Sequence, residues 1–148
     1  MTYIKGLVSV IIPTYREPKL LEQAIKSVHN QTYKDIELIV IDDVDSNGVS
    51  WARNQGITKA KGEYIALLDQ DDTYLSDKIE KSVCFLKIWS GLGMVHHKAI
   101  IANHRCIWLG GGDEWDIKYM LEHKVGKCKN LLYRNYICNS TPVIRHYC

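Results

Sequence analysis

Three short apolar runs constrain the fold more than any other feature of the chain: LVSVII at 7–12, IELIVI at 36–41 and YIALL at 64–68. They are shorter than helices and rich in β-branched residues. They also lack the alternation of a strand with one wet face, so each reads as a strand buried on both sides. Pro13 is expected to end the first. Between and after them the apolar spacing turns helical. Leu21, Ala24, Ile25 and Val28 share one face, and Val49, Ala52, Gly56 and Ala60 share another over a predicted helix from Val49 to Lys61 that Gly62 stops. Ser76 is the expected N-cap of a third helix burying Ile79, Val83 and Leu86. Strand and helix alternating three times predict an α/β fold, a mainly parallel sheet flanked by helices.

In such sheets ligands bind beyond the carboxyl ends of the strands. Here those ends read PTYRE, DDVDSN and DQDDT. The last sets Asp69, Asp71 and Asp72 together at the tip of an apolar strand, where like charges repel unless a cation or phosphoryl group sits among them.

The totals exclude several classes. With 148 residues the chain is one domain, 1–148, large enough for a core. A formal charge of +2 is too mild to argue for nucleic acid. The five cysteines (84, 106, 128, 138 and 148) are odd in number and form no CxxC pair, so they signal neither a disulfide framework nor a zinc site. No run approaches the roughly 18 apolar residues of a membrane span, and the N-terminus lacks the features of a signal peptide. Together these place the chain in a reducing cytoplasm, with peripheral attachment at the inner face of a membrane left open.

The second half is less regular. GMVHHKAIIA and RCIWLGG fit a hairpin, Asp113 to Lys124 fits a helix, and NYICNSTPVIRH reads as extended. His96 and His97 look like a metal pair, but neighbours on a strand point to opposite faces. GGGDEWD at 110–116 lacks the spacing of a phosphate loop and reads as a turn before a helix. Trp108 and Trp115 fit either an acceptor groove or buried packing.

Two enzyme classes use an acidic strand tip. Residues 69–73 fit the D-x-D-x-T signature of haloacid dehalogenase-type phosphatases, with Asp69 as nucleophile, but that signature usually sits on a first strand. VSVIIPTYRE (8–17), QTYKDIELIVIDD (31–43), ARNQGITKAKGEYIALLDQDD (52–72) and NYICNSTPVIR (135–145) occur in order. Together they closely resemble the family 2 glycosyltransferases, inverting enzymes of GT-A fold that use nucleotide-sugar donors.

The resemblance implies a nucleotide-sugar-binding half at 1–90 and a partial acceptor-side half at 91–148. It implies that Pro13, Thr14 and Tyr15, with Glu17 nearby, form the first donor loop. Asp43, with Asp42 beside it, would bind the base. Asp69, Gln70 and Asp71 would form the D-x-D segment, Asp69 near the ribose and Asp71, with Asp69, on a divalent metal, Mg²⁺ or Mn²⁺. Asp72 fits either a further shell around the metal or a turn. Arg53 and Asn54, the family's ARN segment, would bind donor phosphates or tie the helix to neighbouring loops. The implied acceptor is a saccharide or glycoconjugate hydroxyl.

Three departures from the family stand out. The connection from Asp43 to Asn47 is short where the family has a further helix and strand. Arg16 stands where Asn is common. The family's catalytic base follows a segment like NSTPVIR and is expected beyond Cys148, so the catalytic residue is unassigned and the chain reads as truncated or internally shortened. Asp113, Glu114 and Asp116 are only substitutes for that base. A non-catalytic nucleotide-binding remnant is the competing reading.

Overall fold

The computed structural model describes residues 3–96 and 140–146. Five strands and three helices follow in chain order: β1 (Ile4–Thr14), α1 (Pro18–His29), β2 (Ile36–Asp42), α2 (Val49–Lys59), β3 (Gly62–Leu67), α3 (Lys78–Ile88), β4 (Met94–Val95) and β5 (Val143–Arg145). They form one sheet in the order β2-β1-β3-β5-β4. β1 pairs in parallel with both β2 and β3, whereas β5 runs antiparallel to β3 and to β4. The sheet is thus mainly parallel with one reversed strand. The sequence 135–146 read as extended, and its C-terminal part supplies that strand.

The core forms around β1, which lies between β2 and β3 and is largely apolar on both sides. Val8, Val10 and Ile12 meet Ala24 and Val28 of α1 and Ile79, Val83 and Leu86 of α3. Each Val, Leu or Ile side chain among these, fully removed from water, contributes about 1.5–3 kcal/mol. On the other face α2 lies close against Ile11, because Gly56 has no side chain to hold it off.

Some of the polar groups that the core buries are satisfied, whereas Lys78 Nζ finds no hydrogen-bond partner among the described residues. Gln31 donates to the carbonyls of Ser27 and Leu75 and accepts from the Ile79 N–H, tying α1 to the start of α3. Arg145 donates to the carbonyls of Leu92 and Leu86 and sits 3.5 Å from Glu63, fastening β5 to its surroundings.

Several sequence expectations are corrected. Pro13 does not end β1: it continues the ladder opposite Ile41, and Thr14 follows opposite Asp42. β2 is not buried on both faces, because it is the edge strand; Ile41 is its one buried residue and Val40 is 37% exposed.

Gly62 does not stop α2. Ala60 already leaves the helix in an extended conformation, and Gly62 opens β3. Glycine is required there because a Cβ would meet the Leu7 carbonyl oxygen at 2.6 Å. Val49, assigned to the buried face of α2, is exposed. Ser76 does not cap α3: Asp77 holds that position and makes no capping bond, its carboxylate pairing with Lys81 at 2.8 Å instead. The hairpin beyond His96, the helix from Asp113, GGGDEWD, Trp108, Trp115 and His97 lie outside the described residues.

Candidate functional site

The carboxyl ends of β1, β2 and β3 open into a crevice of about 590 Å³. Pro13 and Thr14 line it from the end of β1 and Tyr15 from just beyond, Asp43 and Ser46 from the loop after β2, Ala52 and Arg53 from α2, and Asp69, Gln70 and Asp71 from the loop after β3. All but two of the residues that the resemblance assigned to the donor site meet there. Glu17 and Asp42 do not line it. Glu17 is exposed at the start of α1, and Asp42 is exposed on the edge strand. Backbone alternation explains Asp42: adjacent strand residues face opposite ways, so it diverges from Asp43.

Gln70 fastens the site together. Its Oε1 accepts from the Thr14 hydroxyl at 2.7 Å and the Tyr15 N–H at 2.8 Å, and its Nε2 donates to the Tyr15 carbonyl at 3.3 Å. The loop after β1 is thereby locked to the loop after β3. Tyr15 is held further by Ser46, whose hydroxyl lies 3.0 Å from the phenol oxygen, and by the Arg16 guanidinium 4.7 Å from its ring centroid. Arg16 has φ = 54°, the left-handed region that Asn tolerates far better than Arg.

Asp43 is 6% exposed and largely engaged. Its Oδ1 accepts from the backbone and side-chain N–H groups of Asn47 at 2.8 and 3.1 Å, and its Oδ2 from the Gly48 N–H at 2.6 Å. Desolvation pushes its pKa up, but the N–H groups of Asn47 and Gly48 together outweigh this and hold it below the ordinary value. The ionised form thus braces the short connection into α2. That support is present above the unfolded pKa and is lost as pH falls through the lowered one.

Asp69 is paired: its Oδ1 lies 2.6 Å from Nη2 of Arg53. Nε of Arg53 is buried without a hydrogen-bond partner among the described residues. Asp71 is exposed on the crevice wall. The Asp72 N–H closes a turn onto the Asp69 carbonyl, and Asp72 does not line the crevice. Asn54 is exposed and outside the crevice.

Sequence reasoning missed Ser140, whose hydroxyl accepts from the Asp69 N–H at 3.0 Å and so joins the C-terminal strand to the acidic loop. The one signal for it was the NSTPVIR resemblance. Among the described residues no three His, Cys, Asp or Glu side chains form a metal cage. His96 is half-buried just after β4 and is not itself on the strand, and His97 lies outside the described residues.

The strand ends thus set an acidic crevice, with Arg53 beside Asp69, at the topological switch point of an α/β sheet, the place where ligands bind in such folds. The glycosyl transferase family 2 model matches residues 9–48 and 44–88, and the chain belongs to that family. An uncharacterised glycosyltransferase of Haemophilus influenzae is 36% identical over 115 residues, 61% of this chain and 46% of its own length. The Bacillus subtilis TuaG, a putative teichuronic acid biosynthesis glycosyltransferase, is 32% identical over 111 residues, 58% of this chain and 44% of its own. The chain therefore spans under half the length of these relatives.

Among solved structures, S. aureus TarS 1–349 in complex with UDP-GlcNAc superposes with a TM-score of 0.65 at 17% identity, covering 95% of this chain and 45% of that one. The mannosyltransferase PcManGT of Pyrobaculum calidifontis, in complex with GDP-Man and Mn²⁺, gives 0.63 at 18% identity, covering 93% and 44%. These likenesses establish the fold, GT-A.

Proposed function

We propose that the chain carries the donor-binding part of an inverting glycosyltransferase, moving a sugar from a nucleotide-diphosphate sugar to a saccharide or glycoconjugate hydroxyl in polysaccharide synthesis. Residues 1–90 form the donor half and 91–148 part of the acceptor side. The observation that carries this reading is the convergence of Thr14, Tyr15, Asp43, Arg53, Asp69 and Asp71 on one crevice. Relatives and structural neighbours named for glycosyl transfer, one bound to UDP-GlcNAc and one to GDP-Man, support it.

Tyr15 offers a ring face to a base, and Asp43 retains one lone-pair direction beyond the three bonds it accepts. Arg53, with an unused buried Nε, is suited to an anionic ligand such as a diphosphate. Asp69 would exchange part of its Arg53 contact for the ribose or the metal.

The donor set fits a hard divalent cation of the Mg²⁺ or Mn²⁺ type. Such ions bind through one or two carboxylates and complete their shell with phosphate oxygens and water, so no all-protein cage is needed. Asp71, with Asp69, would hold it. A cation held there would supply positive charge against the charge of a departing diphosphate.

Calorimetric titration of UDP, GDP and dTDP in the presence of Mn²⁺ tests the reading. Saturable binding of one of the three names the base; failure of all three removes the donor site. Sugar transfer by the chain separates an enzyme from a non-catalytic nucleotide-binding domain, and no observation favours Asp69 as a phosphatase nucleophile.

A further inference from the structure

β2 is an edge strand whose outer side is open among the described residues, where it pairs with β1 alone. At one end of that ladder the Val8 N–H donates to the Asp35 carbonyl, and at the other the Asp43 N–H donates to the Thr14 carbonyl, each at 3.0 Å. Odd-numbered residues of β2 therefore turn their backbone groups toward β1. Ile36, Leu38, Val40 and Asp42 turn theirs outward, where the Ile36 N–H already donates to the Lys34 carbonyl at 2.9 Å and would have to turn from it to join a new ladder. An edge of this length without proline is a template for another strand. The two stretches that match the family meet at 44–48, immediately after this edge.

We infer that the open edge of β2 pairs with β2 of a second copy of this chain, antiparallel about a two-fold axis at Leu38. Charge selects both the partner and the register. Centring the axis on Leu38 sets Lys34 of each copy opposite Asp42 of the other, Ile36 opposite Val40, Asp35 opposite Ile41 and Glu37 opposite Ile39. No like charges then face one another, and opposite charges meet twice. Shifting the sum of paired numbers by two in one direction opposes Glu37 to itself; in the other it opposes Asp35 to Asp43. A further shift sets Glu37 against Asp43. Both Lys34 and Asp42 are exposed and so available, Lys34 while donating to the Gln31 carbonyl at 2.9 Å. In this register the outward N–H and C=O groups of Leu38 meet their own symmetry mates. The half-exposed Val40 side chain gains a cover. The pairing also gives Asp42, which the crevice does not use, a place in the molecule.

One strand pair is smaller than the roughly 1,200 Å² of a standard interface, so the dimer is weak and concentration-dependent. Sedimentation velocity from low to several hundred micromolar chain tests it. Reversible dimerisation is expected. Lys34→Asp should weaken it about fivefold or more through two like-charge pairs, and Lys34→Asp with Asp42→Lys together should restore it. Val40→Pro removes an outward donor while sparing the β1 ladder and should abolish the dimer, with an unchanged circular dichroism spectrum reporting that the fold persists. A monomer at every concentration, or a dimer indifferent to these substitutions, overturns the inference.

Discussion

Arg16 and Lys78 show how single residues depart from what their neighbours prefer. Arg16 is held in a left-handed conformation that costs an ordinary residue about 1–2 kcal/mol, against about 0.5–1 kcal/mol recovered from its place over the Tyr15 ring. Arg16→Asn should therefore stabilise the fold by about 0.5–1 kcal/mol in denaturant titration. Lys78 is 4% exposed, with Nζ 3.8 Å from the Tyr74 ring centroid and no hydrogen bond among the described residues. Burial lowers its pKa well below the usual value of 10.5. The unfolded chain thus holds its proton to higher pH than the folded one, and stability climbs as pH rises from the lowered pKa toward 10.5. Lys78→Met should flatten that rise and add about 1 kcal/mol or more on its acid side, read from melts across pH. The sequence made Thr14, Asp69 and Asp71 legible as site residues because a strand end dictates where they go. It did not reveal the Arg53–Asp69 pair, the Gln70 clasp or the Ser140 bond. Those join residues 16, 56 and 71 positions apart through side-chain geometry that no local pattern encodes.

At the scale of elements, hydrophobic period identified three strands and three helices, and misjudged their ends. Pro13 continues a strand because β1's neighbours hold it in register, and Asp77 displaces Ser76 because a turn intervenes before α3 begins. β2 has the composition of a buried strand but lies at the edge, since strand order depends on long-range pairing that apolar content alone cannot set. The glycines are the more informative elements. A Cβ on Gly56 would come within 2.3 Å of the Ile11 side chain, a stiff β-branched group in the centre of the sheet. Gly56→Ala should cost about 1–3 kcal/mol by lifting α2, in spite of alanine's better helix propensity. Gly62→Ala should cost more, because the obstruction there is backbone. Chemical denaturation of both variants checks the order.

For the molecule as a whole, α/β alternation fixed the class and the strand-end loops fixed the location of the crevice, both from local pattern. What local pattern could not supply is how the short connection after β2 closes the pocket. In the structure Asp43 braces that connection while still facing the crevice, which Ser46 and Gly48 of the connection also line. The central claim is that this crevice binds a nucleoside diphosphate through a metal held by Asp71. Its most direct test compares the affinity of the best-bound nucleotide with Mn²⁺ and with EDTA, in the parent chain and in Asp71→Asn. The account predicts that Mn²⁺ tightens binding by about tenfold or more in the parent and that this gain disappears in the variant. An equal metal effect in both proteins, or none in the parent, would contradict it.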